Sequence, residues 1–195
     1  MRITLLTITI GLLLSSTAFG QINDKIGVKA GVGFANYYGS MVDDVEYITS
    51  FTAGVYSSYN LIGNLKFQPE ILFTSKGASG DFTLDPDKYE DINVGYIQIP
   101  LLAKYLVLES DGVSAGVMVG PAFAFKIFDN ATTLENHMNL FEAEARSQEI
   151  SMLGGLTLEI ERFTVDLRLD IGLSDTFERT NARNRVLSAM IGYSF

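Results

Sequence analysis

The chain has 195 residues, enough for one domain, and 47% of them are hydrophobic. Its formal net charge of −9 argues against a nucleic-acid partner, because binding to phosphates requires a basic surface. The absence of cysteine excludes disulfides, a thiolate nucleophile, zinc-thiolate sites and N-terminal lipoprotein acylation.

The first 20 residues have the pattern of a secretory signal peptide. Arg2 supplies a positive charge, residues 3–14 form an apolar segment, and Ala18 and Gly20 place small residues at positions −3 and −1 of a cleavage site. The apolar segment is short for a membrane-spanning helix, so an uncleaved anchor is the less favoured alternative. We therefore expect residues 1–20 to be removed and residues 21–195 to form one outer-membrane barrel domain.

Segments of alternating apolar and polar residues follow, separated by turn-forming residues, and they predict eight strands. The predicted strands are 26–36, 50–61, 64–77, 92–107, 113–128, 148–160, 163–173 and 184–195. Four connections are long, 37–49, 78–91, 129–147 and 174–183, and three are tight, 62–63, 108–112 and 161–162. Short turns at one end and long loops at the other are typical of an up-and-down barrel. We therefore predict an all-β fold, an eight-stranded antiparallel transmembrane β-barrel with periplasmic termini and extracellular long loops.

The alternation separates an apolar face from a polar face. In segment 163–173, apolar residues occupy the odd positions, and Asp166, Arg168 and Asp170 lie between them. Periodicity does not say which face is inside, but the signal peptide, the glycines on the polar face and two bands of aromatic residues favour lipid outside. The charged residues predicted to face the lumen are Lys29, Lys66, Glu70, Lys76, Lys104, Glu159, Asp166, Arg168 and Asp170.

These lumenal charges should pair with one another. An eight-stranded barrel is just wide enough for its own side chains, and an unpaired buried charge is costly. We therefore expect Glu70 and Asp166 each to have a lumenal basic partner. A structural plug that holds the barrel rigid is the favoured interpretation, and a narrow proton or ion path is the alternative.

Some positions depart from a regular strand pattern. Val94 places an apolar side chain on the face that carries Tyr96, which predicts a β-bulge near Gly95. Three prolines lie inside predicted strands, where each removes a ladder donor, and they suggest further bulges: Pro69, Pro100 and Pro121.

The long loops contain weak signals for a site. His137 is the only histidine, and a lone loop histidine without a nucleophile motif does not indicate a hydrolase. Residues 132–135 fit a capping box and predict a short helix over the barrel mouth. The acidic residues of loops 37–49 and 78–91 favour a solvated rim over a calcium site, because no EF-hand spacing is present. We predict no catalytic, cofactor-binding or metal-binding residues and no cofactor.

Several blocks, taken in order, resemble the PorT-like outer-membrane β-barrel family of Bacteroidota. They are residues 27–31, 67–77, 96–105, 120–121, 166–168, 172–174 and 192–195. The resemblance implies the barrel fold and the outer membrane, but it does not imply a single activity. Tyr193 and Phe195 also resemble the C-terminal signal by which barrel-assembly machinery recognises its clients.

Together these observations predict an integral outer-membrane protein that is not an enzyme. We expect a structural role, or partner binding through the long loops. A component of an envelope transport or protein-secretion assembly is the alternative, and a lipid-modifying or proteolytic barrel enzyme is less favoured. The expected partners are outer-membrane lipid, the barrel-assembly machinery during biogenesis and an envelope protein, and not nucleic acid.

Overall fold

The described residues form a closed, eight-stranded β-barrel. The computed structural model describes residues 25–38, 47–80, 90–131, 147–174 and 183–195. The strands are β1 Lys25–Tyr38, β2 Ile48–Ile62, β3 Leu65–Gly80, β4 Glu90–Ser110, β5 Val113–Ala131, β6 Gln148–Ile160, β7 Phe163–Gly172 and β8 Arg183–Ser194. Every strand pairs with its sequence neighbours in antiparallel orientation, and β8 closes the barrel on β1. The predicted all-β, eight-stranded antiparallel fold is confirmed.

The tight turns lie at one end of the barrel, which we call the turn end; the opposite end is the loop end. Gly63 and Gly112 adopt left-handed backbone angles, with φ of 55° and 75°, which glycine accepts without strain. β4 continues to Ser110, so the predicted turn 108–112 is shorter than expected. At the loop end, β3 and β4 pair as far as Gly80 and Glu90, which shortens the predicted loop 78–91.

The two faces of the strands have opposite environments. On β7, Leu167 is 49% exposed on the outer surface, whereas its neighbours Asp166 and Arg168 are 1% and 2% exposed inside the barrel. The same alternation runs through the whole of β7. An outer surface of leucine, valine, isoleucine and phenylalanine is what a lipid-facing strand presents.

The lumen is not purely polar. Leu102, Met118 and Leu153 form a buried apolar cluster, and Val94 packs inside with Tyr96 and Ala124. Val94 therefore points inwards without breaking the alternation of β4.

Irregularities in the ladder are found at three places. The register between β4 and β5 shifts at Gly95 and Tyr96, where the additional residue is Ile127 of β5, so the predicted bulge lies on the partner strand. Two further register shifts each leave one residue without a partner on the neighbouring strand. These are Val107 of β4, opposite β5, and Leu61 of β2, opposite β3.

The prediction of bulges at the prolines is wrong. The pairing is interrupted beside each proline but resumes in the same register; for example, β3 and β4 pair at Pro69 and Leu101 and again at Leu72 and Gln98. One missing donor breaks the ladder locally, and the long paired segments on both sides keep the strands aligned.

Several predicted features lie outside the described residues. These are the signal peptide, His137, the short helix predicted from the capping box at 132–135 and the acidic side chains of the first two long loops. The described residues contain no helix that is long and apolar enough to cross a membrane.

Candidate functional site in the barrel lumen

The middle of the lumen contains four charged side chains in direct contact, which we call the central cluster: Lys29, Glu70, Asp166 and Arg168. Arg168 donates from Nη1 and Nη2 to the two oxygens of Glu70, at 2.6 and 2.8 Å, and from Nη2 to Asp166 Oδ2 at 2.6 Å. Lys29 Nζ lies 2.9 Å from both Glu70 Oε1 and Asp166 Oδ2. All four side chains are at most 2% exposed. Two bases therefore neutralise two acids away from bulk solvent.

Neutral side chains complete this cluster. Gln68 donates to Glu70 Oε1 at 2.6 Å, and Thr157 donates to Asp166 Oδ1 at 2.8 Å. The ammonium of Lys29 lies 4.3 Å from the centre of the Tyr56 ring, a cation–π distance. Every carboxylate oxygen of the cluster thus accepts at least one hydrogen bond, which is the condition under which a buried ion pair is tolerated.

A second group, the loop-end cluster, consists of Lys76, Glu149 and Asp170. Lys76 Nζ lies 2.8 Å from Glu149 Oε1 and 2.9 Å from Asp170 Oδ2. Gln98 donates to Asp170 at 2.7 Å, and Asn184 donates to Glu149. One lysine faces two carboxylates here, so the cluster has a net charge of −1, and two amides supply the additional donors.

The third group, the turn-end cluster, consists of Lys25, Lys104 and Glu159. Lys104 contacts one carboxylate oxygen of Glu159, and Lys25 contacts the other at 3.2 Å. The side chain of Lys104 is 2% exposed, whereas that of Lys25 is 41% exposed. Lys66 lies directly across β3 and β4 from Lys104 and is only half-buried.

A small cavity separates the central and loop-end clusters. Its volume is about 20 Å³, and its lining includes Arg168, Asp170, Gln98 and Thr74. That volume holds about one water. Arg168 Nε and Asp170 Oδ1 are buried polar atoms without a protein partner and belong to residues that line this cavity.

The structure brings together eight of the nine lumenal residues that the alternation predicts. These eight form ion pairs: Lys29, Glu70, Lys76, Lys104, Glu159, Asp166, Arg168 and Asp170. Glu70 and Asp166 each contact both Lys29 and Arg168. Lys66 points into the lumen but has no ion pair among the described residues.

Sequence reasoning missed Glu149 and Lys25. Glu149 lies on β6 an even number of residues before Glu159, so the alternation already placed it on the lumenal face. Lys25 lies one residue before the predicted first strand, so the predicted alternation does not assign it to a face.

Two residues of the predicted assembly signal lie at the turn end of β8. The Tyr193 ring packs against Phe163 and Phe195, with ring centres 5.3 and 5.8 Å apart. The backbone amide of Phe195 donates to the carbonyl of Ile26 at 2.9 Å. Their role in assembly stays a prediction.

Among the described residues, no group of three His, Cys, Asp or Glu side chains could hold a metal ion. The paired charges are held by one another, and the arrangement is suited to holding strands together.

Solved barrels resemble the chain at low identity. Neisserial surface protein A is 15% identical with a TM-score of 0.49, over 87% of this chain and 97% of that chain. Ail of Yersinia pestis is 12% identical with a TM-score of 0.47, over 90% and 99%. The outer membrane enzyme PagL is 10% identical with a TM-score of 0.49, over 87% and 99%. No curated protein sequence matches the chain.

The family comparison matches most of the chain. A family model described as an outer membrane protein beta-barrel domain matches residues 19–178. The closed eight-stranded barrel with an apolar outer surface agrees with that match. The chain therefore belongs to the outer membrane protein β-barrel domain family and is an outer-membrane β-barrel protein.

Proposed function

We propose that this protein is a non-enzymatic outer-membrane barrel whose lumen is closed by its charge network and whose long loops contact an envelope partner. The observation that carries the proposal is the central cluster, where Lys29, Glu70, Asp166 and Arg168 are at most 2% exposed. A rigid, closed barrel serves as a scaffold and leaves the loops as the variable part.

The positions of the strands explain how the network would close the lumen. In a ring of eight strands, β3 and β7 are four steps apart in either direction, so they are diametrically opposite. The bidentate pair between Glu70 of β3 and Arg168 of β7 therefore crosses the full width of the lumen. Lys76 of β3 and Asp170 of β7 cross it again nearer the loop end. Two such crossings leave space for about one water between them.

Planar-bilayer conductance tests this proposal. We expect the wild-type barrel to show no steady channels, and we expect a Glu70→Ala/Arg168→Ala double variant to conduct, because both partners of the crossing pair are shortened together. An Arg162→Ala variant is the matched control, since Arg162 lies exposed in the turn between β6 and β7. Steady channels in the wild type would refute the closed lumen. A silent, correctly folded double variant would show that this pair is not the closure.

The non-enzymatic part of the proposal is supported by the chemistry of the lumen. Both carboxylates of the central cluster are paired with Lys29 and Arg168, and the hydroxyl of Thr157, which donates to Asp166, belongs to a residue that is only 3% exposed and so offers little access to a substrate. The test is incubation of the folded barrel with labelled outer-membrane lipids and with an unfolded protein substrate. If the wild-type barrel converts either substrate and a His137→Ala variant does not, the protein is an enzyme and this part of the proposal is contradicted.

We also propose that the chain is a PorT-like member of its family. The two blocks that carry most of the resemblance, 67–77 and 96–105, lie on the adjacent strands β3 and β4. They supply Glu70, Lys76 and Lys104 to the ion pairs. Replacing residues 67–77 with the corresponding block of a PorT-like barrel should leave the fold intact, and an unfolded product would contradict the assignment.

Export is the remaining part of the proposal. We propose that residues 1–20 are cleaved, that the termini face the periplasm and that the long loops are extracellular. The intact mass of the protein from outer membranes should correspond to a chain starting at Gln21. An epitope inserted in loop 132–146 should be accessible on intact cells, whereas one in the turn 111–112 should not. The opposite pattern would invert the orientation.

A further inference from the structure

The turn end of the lumen has more positive charge than its carboxylate can neutralise. Lys25 and Lys104 each contact one of the two oxygens of Glu159. Lys66 points into the same end and has no ion pair in the part of the chain that the structure describes. The exposed acids of this end, Glu109, Asp111 and Glu161, form no ion pair with these lysines among the described residues. Three ammonium groups against one carboxylate leave two positive charges.

Lys66 and Lys104 occupy an unfavourable position relative to each other. They are direct partners across β3 and β4, and residues in that position have Cβ atoms about 5 Å apart. Like charges directly opposite each other are destabilising. The pair would be stabilised by an anion between the two ammonium groups.

A buried hydroxyl points to the same place. Ser58 lies on β2 directly opposite Lys25 of β1, two residues from Asn60, which pairs with Lys66 of β3. It is 4% exposed, and its hydroxyl has no hydrogen-bond partner. A buried polar group without a partner is destabilising, so an anion oxygen that accepts a hydrogen bond from it would be favoured.

We propose that the turn end of the lumen binds a phosphate-type oxyanion, held by Lys66, Lys104 and Lys25 with Ser58 as an additional donor. A phosphate monoester carries a charge of about −1.5 to −2 at neutral pH, which matches the two uncompensated charges, whereas a carboxylate carries only −1. The source is free phosphate or the phosphate of a lipid headgroup at the rim. The site does not depend on whether the lumen is closed.

The test is a titration with inorganic phosphate, monitored by isothermal titration calorimetry. It uses the folded, full-length mature barrel in detergent. We expect saturable binding that is about tenfold weaker in Lys66→Gln, the loss expected for one charge-assisted hydrogen bond. Arg162→Gln is the matched control, because it removes an exposed charge at the same end outside the lumen, and it should bind like the wild type. Ser58→Ala should bind more weakly, whereas Ser57→Ala, on the outer face, should not.

The Lys66→Gln variant remains informative because the side chain has no ion pair to lose. In phosphate-free buffer its stability should be close to that of the wild type, since the repulsion from Lys104 and the attraction to Glu159 are lost together. In phosphate, only the wild type should gain stability. Absence of saturable phosphate binding by the wild type, or equal affinity in Lys66→Gln, overturns the proposal.

Two further arms define the ligand. Acetate in place of phosphate should bind at least tenfold more weakly, and equal affinity would overturn the assignment to phosphate. Phosphatidic acid in the micelle should weaken phosphate binding if the headgroup reaches the site. Unchanged phosphate affinity in that arm supports free phosphate as the source.

Discussion

The middle of the lumen and its turn end are built from the same residue types, yet their charges are balanced differently. In the central cluster, two bases meet two acids, and no side chain is more than 2% exposed. At the turn end, Glu159 contacts two lysines, of which Lys104 is 2% exposed and Lys25 is 41% exposed. Lys66 lies across from Lys104. Charges removed from water must be neutralised by neighbours, whereas charges near the mouth are also stabilised by solvent.

The loop-end cluster is intermediate between the two. Its three side chains are at most 9% exposed, but one lysine serves two carboxylates. Amide donors from Gln98 and Asn184 reduce the cost of the additional negative charge. The three levels therefore predict three different energetic costs when one charge is removed.

The largest effect is expected in the middle. Arg168→Met leaves Glu70 and Asp166 with Lys29 as the one remaining cation, so we expect a loss of about 3–5 kcal/mol in unfolding free energy. The chain has no tryptophan, so urea unfolding in lipid vesicles would be followed by circular dichroism. Adding Glu70→Gln to the same chain should recover part of the loss. If Arg168→Met lost less unfolding free energy than Asp170→Asn, the predicted difference between the central and loop-end clusters would be wrong.

A smaller effect is expected at the loop end. Asp170→Asn leaves Lys76 paired with Glu149 and removes a carboxylate that already has one oxygen without a partner. We expect a loss of about 1–2 kcal/mol in the same unfolding experiment. Glu149→Gln is the matched comparison on the other carboxylate, and it should cost more because both of its oxygens accept hydrogen bonds. Equal costs would argue against this ranking.

The smallest effect is expected at the turn end. Lys25→Gln breaks an ion pair whose lysine is 41% exposed, so we expect a loss below about 1 kcal/mol that decreases further at high salt. Lys104→Gln serves as the buried counterpart on the same carboxylate and should cost more. If Lys25→Gln were the more damaging of the two, burial would not govern the energetics of this cluster.

The sequence predicts the alternation of inward- and outward-facing side chains without any knowledge of how the strands pair. On β7, the pattern from Phe163 onwards placed Asp166, Arg168 and Asp170 on one face, and the structure has them inside. Glu149 shared that signal with Glu159 but stood at the edge of a predicted strand. The period of two is a local property of an extended backbone, so it needs no knowledge of the fold.

Closure of the barrel decided everything that joins distant strands. Lys29 meets carboxylates 41 and 137 residues away, and Arg168 meets Glu70 across the whole lumen. The position of the bulge on β5 at Ile127, rather than on β4, also depended on the pairing of two strands. The sequence by itself determined which side chains face inwards, because that follows from each strand alone. Only the tertiary structure decided which of them meet, because opposite strands are aligned by the register of the complete ring.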